Sequence, residues 1–361
     1  MEPTKLPQSD FSTLIGLVSH YSPSGEESGA VAWLVSQMKL LGYDKAFIDE
    51  AGNAIGVMGK GPKQVMLLGH IDTVPGEIKV ENDGTLLFGR GTVDAKGPLA
   101  CFVDAVARIG RIEEWQFVVI GAVEEERDSD GARFVADKYM PDYAIIGEPN
   151  HWDRIALGYK GSAWADVIIS RGQTHSASGE QTAAEAAVDA WIQIKAYVDA
   201  FNADKPKLFD QLMLTLNKVD SSFDDFEQRT TLKIGMRLPI DVSPDNWYEI
   251  LNKLQIVSGS FKASIEPKGF TAPAWVGEKN TLLVRAFLYG IRKQGGEPRF
   301  VYKTGTADIN IVAQVWNCPS AVFGPGDSIL DHTANEHIEL NEYAKAVDVL
   351  TTTLTTLTSK K

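Results

Sequence analysis

The chain has 361 residues with 44% hydrophobic and 23% charged side chains, an ordinary globular composition long enough to suggest two domains and a sizeable core without covalent staples. A formal net charge of −13 argues against nonspecific binding to nucleic acid or to an anionic membrane, although Lys160, Arg171, Arg237 and Lys303 could still converge on a local basic pocket. With only Cys101 and Cys318, a polar stretch at residues 1–10 and no apolar run near the roughly 20 residues that span a bilayer, the chain reads as a reduced, cytoplasmic protein without a disulfide framework or a signal peptide.

In chain order, residues 10–41 read as two helices broken at Ser22-Pro23-Ser24-Gly25. Glu26 and Glu27 open the second, where acidic side chains suit a helix N-terminus, and Gly42 ends it. Short apolar runs at 54–58 and 64–68 have strand length. Residues 95–109 read as a helix, and the runs at 116–123 and 143–146 as strands buried on both faces. This alternation predicts an α/β domain with a mainly parallel sheet. From about Trp152 the pattern changes: strand 161–170, helix 180–201, strands 211–217 and 230–237, helix 243–257 and strand 261–266. That β-α-β-β-α-β order matches a ferredoxin-like module. From about Pro273 the α/β pattern returns and closes in a helix at 341–357. The expected organisation is an α/β domain, 1–155 with 273–361, interrupted by an α+β insertion at 156–272.

Four polar clusters sit where strands should end, and a fifth lies near the C-terminus. In His70-Ile71-Asp72 an imidazole and a carboxylate two residues apart share a face of an extended segment, as a metal ligand and its orienting partner do, or as a turn pair does. Asp94, in Gly89-Arg90-Gly91-Thr92-Val93-Asp94-Ala95-Lys96-Gly97, precedes a helix and is either a ligand or an N-cap. Glu124-Glu125-Glu126 follows a buried strand. A solvated charge run is the plain reading, but like charges packed at a strand end are costly unless a cation neutralises them, and open α/β sheets hold ligands at that edge. Glu148, in Gly147-Glu148-Pro149, again closes a strand. Asp331-His332-Thr333-Ala334-Asn335-Glu336 supplies a second histidine, or a loop histidine only. Together they offer the ligand set of two divalent cations.

These motifs, HID at 70–72, GRGTVDAKG at 89–97, EEERDSDGA at 124–132, GEPN at 147–150 and DHTANE at 331–336, resemble in order those of the M20 metallopeptidases. The resemblance spans essentially the whole chain. It implies a zinc-peptidase-like catalytic domain and an inserted lid that forms a homodimer. It implies that His70, Asp94 and Glu148 bind one metal ion, with Asp94 bridging to a second held by Glu126 and His332. Asp72 would orient His70, and Glu125 would be the general base; the family's glycine six residues after the base is Gly131, which selects Glu125 over Glu124. An oxyanion donor contributed by the partner subunit would be His175, in Gly172-Gln173-Thr174-His175-Ser176, unless that residue is a surface turn histidine. The metals would be zinc, or cobalt. GRGTVDAKGPLA and KTGTADINI (303–311) look most like the branch that releases lysine or ornithine from the C-terminal glutamate of a small acidic amino-group carrier protein. In that branch Arg237, Lys303, Gly305, Thr306 and Asp308 would meet substrate, with Asp308 or Glu336 receiving the ε-ammonium. Deacylation of free N-acetylornithine or N-acetyl-lysine, aminopeptidase action, and a non-catalytic binding relative are the alternatives.

Overall fold

Long apolar runs bounded by polar turns form the middle of the main sheet. The computed structural model describes residues 11–359; residues 1–10, including the Asp10 start of the first helix, lie outside the described residues. The chain divides into two compact units. The first comprises the described residues up to Leu157, Gly277–Tyr302 and the described residues from Ala307 on; the second comprises Gly158–Val276 and Lys303–Thr306.

In the first unit the strand order is Lys45–Ile48, Ala54–Gly59, Trp115–Ala122, Lys63–His70, Tyr143–Gly147, Ser320–Val322, then the residues of Arg154–Tyr159 up to Leu157. The sheet is mixed. Lys63–His70 runs parallel to both Trp115–Ala122 and Tyr143–Gly147, and Ser320–Val322 parallel to the latter; the flanking pairings are antiparallel. Residues 65–68 and 117–120 are fully buried, as strands covered on both faces must be. Parallel pairing brings the carboxyl ends of three core strands to one edge, so His70, the 124–126 turn and Glu148 share that edge.

Local chemistry moves several boundaries. The second helix is Ser28–Leu40 and Glu27 is its N-cap residue rather than part of its first turn; the Glu27 carboxylate is used elsewhere, accepting from the backbone N–H of Gly25 at 2.9 Å and of Glu124 at 3.3 Å. A small sheet of His337–Glu339, Leu86–Phe88 and Glu81–Asn82 has strands of only two or three residues, too short for periodicity to register.

The second unit is the ferredoxin-like module, Gly161–Gly172, helix Ala183–Asn202, Met213–Phe223, Glu227–Leu238, helix Pro244–Lys253 and Lys262–Ala272. Its sheet is antiparallel throughout, in the spatial order second, third, first, fourth strand. Val167, Ile169, Leu232 and Ile234 from the sheet meet Ala187, Ile194 and Trp247 from the helices in one core. The first helix begins at Ala183, not at 180, because Thr182 and Glu185 close a capping box: Thr182 Oγ1 accepts from Glu185 N at 3.2 Å and Glu185 accepts from Thr182 N at 2.7 Å. The second stops at Lys253 and starts with Ser243 capping Asn246 N. Among the described residues no helix is long and apolar enough to cross a membrane.

Replacing Thr182 with alanine removes one acceptor for the helix's unpaired first-turn N–H groups. The expected cost is about 1 kcal/mol, read as a lower denaturant midpoint with an unchanged slope.

Candidate metal centre

His70 is the last residue of its strand, and the chain then turns so that Asp72 folds back. The Asp72 carboxylate is fully buried. It lies 3.4 Å from His70 Nδ1, and it accepts from Ser24 Oγ at 2.7 Å and from the backbone N–H of Glu125 and Glu126, both at 3.1 Å. It therefore fastens the three-glutamate turn as well as His70. Burial works against the charged form of Asp72, but these donors outweigh it and hold the carboxyl below its usual range.

The turn is shaped by backbone constraints. Glu124 adopts a left-handed φ of 60° and its carbonyl accepts from Ser129 N at 2.7 Å. Asn53 bridges the turn, accepting from Val123 N at 3.0 Å and donating to Gly131 O at 3.2 Å. A Cβ at Gly131 would overlap Asn53 Oδ1 and come within 2.6 Å of Val123 N. This close approach is the physical reason for glycine six residues after Glu125. The Glu124 carboxylate lies 3.7 Å from the Arg127 guanidinium; Glu125 and Glu126 instead join the clusters described next.

Three groups of side chains each offer atoms within 4.8 Å of one another: His70, Glu125 and Glu126; His70, Asp94 and Glu148; Asp94, Glu126 and His332. Asp94 belongs to two of them. Its Oδ1 is 3.2 Å from His70 Nε2 and its Oδ2 3.1 Å from His332 Nε2, which is also 3.0 Å from Glu126 Oε1. The N-cap alternative for Asp94 fails, because Ala95 occupies the cap position and no side-chain cap bond forms. His332 has a left-handed φ of 60° and its side chain is 53% exposed, so this edge of the cluster opens to solvent.

The electrostatics of the cluster are those of acids crowded together out of water. Burial, reinforced by neighbouring acids, pushes the carboxyls of Glu125 and Glu148 well above their usual range. Burial also raises Glu126, and raises Asp308 to about 7. Hydrogen bonds that His332 donates to Asp94 and Glu126 raise it to about 10. Burial opposes a charged His70, yet Asp72 and Asp94 outweigh it and raise its pKa well above normal. Glu125, Glu148 and both imidazoles thus all hold a proton more tightly than usual, as crowded acids out of water must. Four carboxylates and two imidazoles, with Asp94, Glu126 and His70 each common to two of the groups, are a donor set that two dications fit.

Glu336 is not a pocket acid. Its buried carboxylate accepts from Arg90 Nη1 at 2.8 Å, Val93 N at 2.9 Å and Asp94 N at 3.1 Å, so it positions the Asp94 loop. The sequence carried both Arg90 and Glu336 inside quoted motifs, but nothing in their spacing announced the pair. Asp308 is 2% exposed, next to the acid cluster. Lys96, fully buried, donates to His20 O at 2.6 Å, and burial lowers its pKa to about 7.

The second unit carries the other expected residues. His175 is exposed at the start of a short 3-10 turn, its Nδ1 accepting from Ala177 N at 3.1 Å. Arg237 Nη1 donates to Thr306 Oγ1 at 2.8 Å. The backbone carbonyl of Lys303, which ends the strand Arg299–Lys303, accepts from Lys160 N at 3.3 Å, and Gly305 lies in the loop that follows. A basic pocket, which the sequence left open, does not form through Lys160 and Arg171. Lys160 Nζ is bound to the carbonyls of Leu208, Phe209 and Gln211, and Arg171 pairs with Glu180. Both cations are tied to structural acceptors.

Comparison with known proteins gives a consistent picture. The model of peptidase family M20/M25/M40 matches residues 66–356. A protein of Deinococcus radiodurans named [LysW]-lysine hydrolase is 40% identical, with 99% of each chain covered. A putative [LysW]-lysine/[LysW]-ornithine hydrolase of Thermococcus kodakarensis is 39% identical over 92% of this chain and 88% of its own. In fold, the chain is similar to the aminopeptidase PepT of Bacillus cereus, with a TM-score of 0.78, 17% identity, and 98% and 100% of the two chains covered.

Calorimetric titration of the chelator-treated protein with zinc should give two equivalents per chain. Asp94→Asn should abolish both, whereas Glu148→Gln and His332→Ala should each leave one. Two equivalents retained by Asp94→Asn would rule out a shared ligand.

Proposed function

The chain belongs to peptidase family M20/M25/M40, and we infer from that premise that it is a dinuclear metal-dependent amide hydrolase releasing lysine, or ornithine, from the C-terminal glutamate of a small amino-group carrier protein. The observation that carries this reading is 40% identity along the whole chain to a [LysW]-lysine hydrolase, in a protein whose acids and histidines gather in the geometry just described. His70, Asp94 and Glu148 would hold one ion, and Asp94, Glu126 and His332 the other. We assign zinc, with cobalt as the competent substitute, because imidazole and carboxylate donors suit both.

When bound, two such ions lower the pKa of water and polarise the scissile carbonyl. The chain's own residues do the rest. Glu125 is the base that takes a proton from water and delivers it to the leaving amine. Its buried, acid-lined setting raises its affinity for that proton, which suits a group that must hold it between the two events. Glu124, paired with Arg127, takes no part. Asp72 keeps His70 in register. His175 donates to the developing oxyanion and, exposed in a short turn, does so for a second copy of the chain. Arg237 grips the substrate α-carboxylate, in company with Lys303, Gly305 and Thr306. Asp308, an acid raised to about 7 by burial, receives the ε-ammonium, whose charge favours its ionised form. We read residues 156–272 as the inserted domain that makes the homodimer, and place the enzyme in the cytoplasm, in lysine and arginine biosynthesis.

Glu125→Gln should keep both metal equivalents and lose turnover by roughly three orders of magnitude or more, because an amide cannot accept the proton. Glu124→Gln should stay within about threefold of the parent; the reverse ranking would move the base by one residue.

The substrate assignment is tested by comparing carrier-linked lysine with N-acetyl-lysine under identical metal and salt. The carrier-linked substrate should have the higher kcat/KM, since remote contacts contribute to positioning, and its advantage should shrink as salt is added. Equal kcat/KM for both substrates would replace this reading with a small-molecule deacylase.

A further inference from the structure

Arg237 is the one guanidinium of the second unit assigned a substrate carboxylate, and a flexible arginine makes a poor bidentate grip unless something fixes its plane. Three observations in that unit bear on how it is fixed. The Arg237 guanidinium carbon lies 5.7 Å from the centre of the Trp164 ring. Its Nη1 is bound to Thr306 Oγ1 at 2.8 Å. Trp164 pairs in register with Gly235, two residues before Arg237 on the same strand, so the indole and the guanidinium rise from the same face of the sheet.

Gly235 explains why the indole lies where it does. A Cβ there would overlap Trp164 Cζ3 and lie 2.8 Å from Cε3. The ring therefore lies flat across the position that any other residue would fill, and this brings it towards Arg237. On the other side, Trp164 pairs with Lys268, and Gly269 also leaves its Cβ position open, 3.9 Å from Trp164 Cδ1. The Trp164 backbone is held as well: its carbonyl accepts from Tyr248 Oη at 2.8 Å, and Tyr248 comes from the helix on the opposite face. Trp164 itself is only half-buried, in a row whose flanking residues Ala163 and Ala165 point into the core. A half-buried tryptophan laid over a glycine beside an arginine does little for the core; its position serves the arginine.

We propose that Trp164, seated on Gly235, is a positioning residue that fixes the Arg237 guanidinium for a substrate α-carboxylate, with Thr306 setting its rotation. The indole face attracts the cation and restricts it to a plane parallel to the sheet, and the Thr306 hydroxyl selects one orientation within that plane. This rests on the assignment of Arg237 to the carboxylate and adds what makes that contact specific: an α-amino acid product with a free carboxylate should be preferred over its amide through a residue that does not touch it.

The test uses the metal-loaded full chain and two ligands, free lysine and lysinamide, with dissociation constants measured by calorimetry; it needs no carrier, so turnover of carrier-linked lysine checks the functional reading separately. Wild type should bind lysine more tightly than lysinamide. Trp164→Leu should weaken lysine by about tenfold, within the range of a cation–π contact, and leave lysinamide unchanged. Trp164→Phe, which keeps a ring face, should recover most of the difference. Gly235→Ala, which displaces the indole without removing it, should act like Trp164→Leu and covers the case in which the leucine variant fails to fold. In an Arg237→Lys background the Trp164→Leu change should have little further effect, a coupling that a merely structural tryptophan would not produce. The proposal is overturned if wild type does not distinguish the two ligands, if the variants weaken both equally, or if the effect of Trp164→Leu persists in the Arg237→Lys background.

Discussion

One buried carboxylate, Asp72, holds the site together. It sits between the His70 imidazole, the Ser24 hydroxyl from the first inter-helix turn, and the backbone N–H groups of Glu125 and Glu126. A charge placed where water cannot reach is tolerable only when its acceptor sites are filled, and here two backbone N–H groups and a hydroxyl do so, with the His70 imidazole 3.4 Å away and itself bonded to the Asp72 carbonyl at 3.0 Å. Removing one partner of such a buried network typically costs about 3–5 kcal/mol, a large part of the stability of an ordinary domain. The same contacts that stabilise Asp72 thus determine where the glutamate turn can lie.

Around that anchor the chain gathers more negative charge than it can neutralise. Burial and neighbouring acids raise the affinity of Glu125 and Glu148 for protons, and Asp72, Asp94 and Glu126 raise that of the imidazoles. Arg90 and Lys96 are buried nearby, but each is committed: Arg90 to Glu336 and to Gly76 O, and Lys96 to His20 O. The cations that nature supplied in this region brace the loops and leave the acid cluster itself unmet. Folding energy is spent on holding that arrangement, which is intelligible only for a site that binds positive charge.

The second unit follows a different physical logic. Its sheet is half covered, with one face packed on two capped helices and the other bearing alternating polar residues. Such a face can carry long side chains in fixed rows, and the Gly235–Trp164–Arg237 row shows how a missing Cβ on one strand lets a ring from the next settle flat. Lys160 illustrates the opposite use of a cation in the same unit, buried against three backbone carbonyls as a tethered counter-charge.

Much of this was legible in the amino-acid sequence, and for clear reasons. Continuous apolar runs marked the core strands, and alternation marked the strand read at 161–170, because burial on two faces or one writes itself directly into residue type. His70, Glu125, Glu126 and Glu148 were legible because they stood at or just after strand ends, where a parallel sheet must gather them, and the family resemblance pointed to Glu125 through Gly131, at a turn that leaves no room for a Cβ. Pairing between distant residues was not legible. Arg90 and Glu336 are 246 residues apart, and Glu336 looked as available as Asp308 until its three donors were seen. Lys160 and Arg171 looked like candidates for a basic pocket until their acceptors were known. By itself the sequence determined which side chains could act and along which strand edge they would lie. Only the tertiary structure decided which of them remained unspent, because a side chain's charge is a property of its composition, whereas its neutralisation depends on partners that periodicity cannot locate.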